Sequence, residues 1–344
     1  MFRNIYIPIL ALLLTSCIEK DVGFFIDGTE EPRIIVNALW ATNDAVQFVH
    51  IGKTGLTTTQ PVSDSKVTLS INGETVPQLE NTDEKIYTSS YRGYACQFKP
   101  GDIVDLQVEA EGHTVHSSIE VPQTAIIEKV DTVHINKLND HSSSSASPYV
   151  RFMIQVHLPE RMKGMQYFRL EHERDIKVLT GSSHIWDDEQ ERYIDEFWFR
   201  TETYYDYEYD SDPALTENKT QMSDDNDDYT LEVFDEVPNK YGLFRSNFFK
   251  DGRYTLIIDV PEYDWGCHSS YSGENGPKCN NVYRFRIITI PKIEYYYLWA
   301  ATALHEVFEP GVLLSNPPIV PSNINGGTGL FTIGATTEVT IGEE

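Results

Sequence analysis

The chain has 344 residues, 40% of them apolar and 12% aromatic, and a formal net charge of −26 at pH 7. That much apolar and aromatic material builds packed cores and excludes a disordered tail. The acidity repels nucleic acid and anionic lipid surfaces, which excludes both as charge-matched partners.

Residues 1–16 (MFRNIYIPILALLLTS) carry one basic residue, Arg3, and an apolar run at 5–14. The run is too short to cross a bilayer as a helix, which takes about 20 residues. It reads as a signal peptide. It ends in Leu14-Thr15-Ser16-Cys17, the pattern of a bacterial lipobox, in which the Cys17 thiol is acylated and the chain is cut just before it. Cleavage there removes only Arg3 from the charged residues and leaves a mature charge of about −27, anchored by lipid at about 0.8 kcal/mol per buried CH₂.

Residues 17–30 read as a polar tether. Short β-branched and aromatic runs follow at 33–40 and 46–53. Asn72-Gly73 between 66–71 and 74–76 is a two-residue hairpin signal. Alternating runs at 103–109 and 113–121 meet at Glu111-Gly112. Short strands separated by turns predict an immunoglobulin-like sandwich over 31–122. The boundary is placed at Val121-Pro122-Gln123, because proline is awkward inside a sheet.

The rest, 123–344, predicts a larger antiparallel β domain, so the fold class is mainly β. Strand patterns occur at 126–135, 149–158, 167–173, 192–209, 229–233, 253–260 and 282–290. One helix is expected at about 291–308, with Pro291 in its first turn and Ile293, Tyr297, Ala300, Leu304 and Val307 on one face. A Pro/Asn/Gly-rich surface stretch and a last strand pair at 330–341 close the chain.

Cys267 and Cys279 lie in a loop rich in Gly, Ser, Asn and Pro, and outside the cytoplasm that spacing favours a disulfide. A zinc site using His268 is the alternative, and it lacks a nearby fourth ligand. Cys96 has no obvious partner and is expected to be buried.

The most unusual stretch is 187–236, with 19 Asp or Glu against three Lys or Arg. Within it Phe197, Phe199, Tyr205, Tyr207 and Tyr209 repeat with period two and share one face of an extended strand. That face is either a core face or an aromatic platform on which a sugar or another ligand stacks. Asp224, Asn226 and Asp228 occupy the first three ligand positions of a calcium loop. The sixth position is Tyr229 where an EF-hand has glycine, so calcium is a possible ligand of looser geometry and no other cofactor is implied.

His305-Glu306 continues to Glu309 where a zinc protease needs a second histidine. Gly-x-Ser-x-Gly and phosphate-loop patterns are missing, and the chain reads as a non-enzyme. Asp131-Thr132-Val133 matches a three-residue O-glycosylation acceptor pattern at Thr132.

The lipobox, Gly252-Arg253-Tyr254-Thr255-Leu256, Glu294-Tyr295-Tyr296-Tyr297-Leu298 and the segment 322–331 (SNINGGTGLF) occur in an order that resembles the Bacteroidota lipoprotein family filed as domain of unknown function 4249, DUF4249. The resemblance implies an outer-membrane lipoprotein, exposed at the cell surface or on the periplasmic side, often encoded beside a TonB-dependent receptor. The expected function is an accessory of TonB-dependent uptake that binds substrate or receptor. The alternative is a surface adhesin or structural glycan-binding lipoprotein.

Overall fold

A computed structural model describes residues 32–54, 59–62, 64–79, 85–86, 89–138, 146–187, 192–216, 238–262, 281–307 and 320–342. In chain order the strands are β1 (Ile34–Ala41), β2 (Gln47–Lys53), β3 (Gln60–Pro61), β4 (Ser65–Ile71), β5 (Glu74–Val76), β6 (Lys85–Ile86), β7 (Ser89–Tyr94), β8 (Ile103–Ala110) and β9 (His113–Glu120). They continue with β10 (Ile126–Leu138), β11 (Ala146–His157), β12 (Tyr167–Asp187), β13 (Arg192–Tyr204), β14 (Leu243–Arg245), β15 (Arg253–Pro261) and β16 (Asn281–Ile290). The helix α1 (Lys292–Val307) and the last strand β17 (Thr328–Ile341) complete the fold. The protein is mainly β, built of sandwiched sheets with antiparallel pairing dominant and one C-terminal helix.

The hairpins form where local turn chemistry demands them. Asn72 and Gly73 sit at φ 52° and 84°, and Glu111 and Gly112 at φ 49° and 82°. Two successive positive φ values match the twist of the flanking strands, which is why Asn-Gly is favoured there.

Three sheets result. The largest runs β13-β12-β16-β17-β1-β2-β7-β6, with β3 and β14 at its sides. A four-stranded sheet, β5-β4-β8-β9, and a three-stranded sheet, β10-β11-β15, pack against different stretches of it. The first core gathers Val36, Trp40, Ile51, Leu69, Leu106 and Val115, and Phe331 and Ile333 of β17 belong to the same core. The second gathers Phe152, Ile154, Ile258, Leu170, Phe285 and Ile287. In β16, Phe285 and Ile287 serve the second core while Ile288 and Ile290 turn to the helix side.

The segment 31–122 is therefore not closed on itself. β1 pairs in parallel with β17, from Ile35↔Thr328 to Ala41↔Gly334, so one sheet crosses the boundary set at Val121-Pro122-Gln123. No local pattern announces a pairing between positions nearly 300 residues apart, because its register is set by burial on both faces.

One further expectation is corrected and two hold in part. Residues 330–341 are not a strand pair but part of one long strand, β17, whose first half pairs with β1 and second half with β16. The described part of the glycine-rich segment before it is exposed at Val320, Ser322, Asn325 and Gly326, and closely packed where Gly327 passes β1. A Cβ at Gly327 would stand 2.6 Å from the Ile34 carbonyl oxygen, so the missing side chains let backbones touch. In α1 the buried residues include Tyr295, Tyr296, Trp299 and Ala303 together with the expected Ala300, whereas Ile293 and Tyr297 are only partly buried and the side chains of Leu304 and Val307 lie outside the described residues. The aromatic rings seat on Tyr167, Leu243 and Ile290, and burial of the largest side chains sets the rotation of the helix. Pro291 precedes the helix, and its carbonyl accepts from the Glu294 N–H at 3.0 Å.

Candidate functional site

β12 is 21 residues long, twice the length its inner neighbour can pair. Its pairing with β16 runs from Tyr167↔Ile290 to Ile176↔Asn281 and stops. Pairing with β13 continues to Asp187↔Arg192. Residues 177–187 and 192–201 thus form a two-stranded arm beyond the end of β16. The β-branched and aromatic residues of both segments favour extended backbone. Thr180 is an extra residue at a register shift between Leu179 and Gly181, and its hydroxyl donates to the Trp198 carbonyl at 3.0 Å.

The arm exposes large apolar side chains. Ile185 is 40% exposed, Trp186 49%, Tyr193 63%, Trp198 51% and Phe199 40%. Trp186 and Tyr193 face each other across the ribbon, so with Phe199 they share one face. Ile185 and Trp198, each one residue along, lie on the other. Tyr193 stacks on His184 at 5.6 Å and 17°, and meets the edge of Trp186 at 5.1 Å. Two-stranded ribbons are marginal in water, and exposed clusters of this kind mark interaction sites.

The root of the arm is held by buried charge. Arg174, fully buried, donates to the Pro261 carbonyl, pairs with Asp206 at 3.3 Å and lies 5.4 Å from the Tyr204 ring centroid. Asp259 is also fully buried and accepts from Arg151 at 2.7 and 2.8 Å and from Lys137 at 2.8 Å. Burial pushes its carboxyl up, but the bonds from Arg151 and Lys137 outweigh that and hold it below the usual range. Lys137 also reaches Glu208 and Asp210, each at 2.9 Å. Glu208 and Asp259 exchange backbone bonds at 2.7 and 2.8 Å, which clamps the segment after β13 onto β15.

This clamp divides the predicted aromatic face. β13 ends at Tyr204. Tyr205 is 66% exposed, but Tyr207 and Tyr209 pack against the second core, and the Tyr209 hydroxyl donates to the Asn239 carbonyl at 2.7 Å. Phe199 stands out on the arm, and the Phe197 side chain lies outside the described residues. Phe199, Tyr205, Tyr207 and Tyr209 do not form one platform, because the chain leaves the β13–β12 ladder after Tyr204 and bonds β15. The signal that could have revealed the arm is the second alternating run at 177–187, which Gly181 and the charges before it obscure.

Thr132 is exposed on β10, opposite Phe152 of β11. Cys96 is a free, half-buried thiol packed against the first core, and burial pushes its pKa up to about 11, which makes it a poor nucleophile. Cys17, Cys267, Cys279, His268, Asp224, Asn226 and Asp228 lie outside the described residues. Among the described residues no group of three or more His, Cys, Asp or Glu could hold a metal ion. None of the described helices is long and apolar enough to cross a membrane.

Carboxylates on the opposite face of the β12–β16–β17 sheet are bonded to arginine. Glu173 accepts from Arg286 at 2.7 Å, Glu338 from the same guanidinium at 2.6 Å, and Asp175 from Arg284. An open groove in the first sandwich, lined by Asp64, Lys66, Arg92, Glu109, Glu111 and His113, has mixed charge, with Lys66 paired to Glu109 at 3.8 Å.

Compared with protein families, residues 19–340 match the family described as a domain of unknown function, DUF4249. No curated protein matches the chain.

Proposed function

This chain belongs to the DUF4249 family, and from that premise we propose a non-enzymatic, lipid-anchored protein of the bacterial outer membrane. It docks through the β12–β13 arm to a TonB-dependent receptor and serves nutrient uptake as an accessory. One observation carries the proposal: five large apolar side chains stand 40–63% exposed on a ribbon that no other described strand supports. Solvation of such a surface is unfavourable, and covering it by a partner recovers about 25 cal/mol for each Å² of apolar area removed from water. The lipobox at Cys17 supports the membrane anchor, in a Bacteroidota cell envelope. The pairing of the sheet carboxylates with arginines favours a binding role over acid–base catalysis.

The test is affinity purification of the tagged full chain from detergent-solubilised outer membranes. Stoichiometric recovery of a TonB-dependent receptor, with reduced uptake of its substrate in a deletion strain, supports the role. Recovery of the protein alone, with unaltered uptake, sinks it and favours a surface adhesin that binds glycans.

A further inference from the structure

We propose that the β12–β13 arm enters a protein partner as a two-faced wedge, gripped in a cleft with apolar walls and a rim rich in Lys and Arg. The proposal deepens the docking role above and rests on it.

Four features of the arm specify that partner. Apolar side chains project from both faces of the ribbon, with Trp186, Tyr193 and Phe199 on one and Ile185 and Trp198 on the other. A glycan stacked on a platform covers one face and leaves the other wet; a cleft covers both.

The second feature is charge. Segment 177–204 contains seven Asp or Glu and three Lys or Arg, in a chain of net charge −26. Three of the acidic residues lie at 188–191, in the chain that joins the two strands, and a segment of that net charge repels another copy of itself and an anionic lipid surface and complements a basic rim.

The third is the edge. Among the described residues β13 pairs only with β12, at the end of the largest sheet. Its described part carries the Arg200–Glu202 ion pair, and charged side chains along an edge oppose addition of a further strand. Contact through the two side-chain faces remains.

The fourth is direction. β1, β17 and β12 run the same way, since β17 pairs in parallel with β1 and in antiparallel with β16, which is antiparallel to β12. Ile35 stands level with Thr328 at the start of β17, while the end of β17 stands level with Tyr283 and Arg174 at the root of the arm. The chain that follows the tether enters at one end of the sheet and the arm leaves from the other, about 45 Å away at the rise of a strand.

The experiment uses the lipidated full chain in its own membrane. A photoreactive benzoylphenylalanine replaces Trp186 in one strain and Ile185 in another, so that neighbouring positions probe opposite faces. The expected result is adducts from both positions on one and the same protein, within segments of net positive charge. Asp195→Lys with Glu196→Lys, which reverses two of the seven acidic charges of segment 177–204, is expected to reduce adduct yield at least about tenfold. Thermal unfolding of each variant is measured alongside, and an unchanged transition shows that the sandwich cores are intact.

Adducts from one face only, adducts solely with glycan or lipid, or a yield unmoved by the charge reversal overturn the wedge. If the receptor still co-purifies while neither arm position gives an adduct, the wedge fails and the accessory role stands. If neither occurs, both fail.

Discussion

Trp198 lies over Gly181 across the β12–β13 ribbon: a Cβ built on Gly181 would stand 3.1 Å from Cε3 of the indole. The two residues are directly opposite in the register, so the ring fills the space that the glycine leaves. An aromatic residue covering a cross-strand glycine restores packing that glycine alone would forfeit.

Gly181→Val is therefore expected to displace the indole and change the near-ultraviolet circular dichroism and emission maximum of Trp198. The described residues of the arm belong neither to the two cores nor to the helix contact, so global stability is expected to fall by only about 1 kcal/mol or less. A large loss of stability in urea would show that the ribbon is part of the cooperative core.

Glycines in the last strand behave differently. Gly329 has φ 109°, and a Cβ there would stand 2.1 Å from the Val36 carbonyl oxygen. Gly329→Ala is expected to cost about 3 kcal/mol or more, from backbone strain and a contact that cannot yield. Gly73 has φ 84° but nothing within 4 Å of a built Cβ, so Gly73→Ala is expected to cost about 1 kcal/mol. Urea unfolding of both variants checks the order, and equal costs would contradict the close approach of β1 and β17.

Asp259→Asn is expected to destabilise by about 3 kcal/mol, because Lys137 and Arg151 then lose the buried charge between them. The folded carboxyl titrates below its ordinary value of 3.8. Its contribution is present above that value and is lost as pH falls through the lower, folded pKa. Wild type and variant are thus expected to converge in stability only at strongly acidic pH, as followed by unfolding at pH 7, 4 and 2.5. A constant gap across that series would show that packing, not charge, is responsible.

His172 is 3% exposed, with Phe285, Tyr207 and Tyr283 rings around it and no hydrogen-bond partner for either ring nitrogen among the described residues. Burial, and then the nearby Arg174 cation, lower its pKa from 6.5 to about 4, against a small opposing effect of Glu173. The unfolded chain binds the proton more tightly, so stability is full above pH 6.5 and falls as pH drops toward 4, by roughly 3 kcal/mol in all. His172→Phe is expected to flatten that stretch of the stability–pH curve. An unchanged slope between pH 6.5 and 4.5 would place the titration elsewhere.

Much of the fold was legible in residues 31–122 because its determinants are local. Asn72-Gly73 and Glu111-Gly112 demand positive φ, and Ile103–Ala110 alternates apolar and polar residues. The helix at Lys292–Val307 was legible too, since its length and the proline before it are local signals. The face it buries was not, because Tyr295 and Trp299 win by contact with Tyr167, Leu243 and Ile290, which the helix sequence does not contain.

The candidate site shows the same division. Composition marked 187–236 as acidic and aromatic, but alternation placed Tyr205, Tyr207 and Tyr209 on one strand face with Phe199. Tertiary structure separates them, because the Glu208–Asp259 backbone pair turns the chain inward after Tyr204. The sequence by itself determined the mainly β class, the tight turns, the helix and the acidity, since each depends on residues within a few positions of one another. Only the tertiary structure decided that β17 joins both cores, that Asp259 sits buried between two cations, and that β12 outruns β16 to leave an aromatic arm. Those outcomes depend on which distant strands lie side by side, and that is settled by mutual burial of side chains from separated parts of the chain.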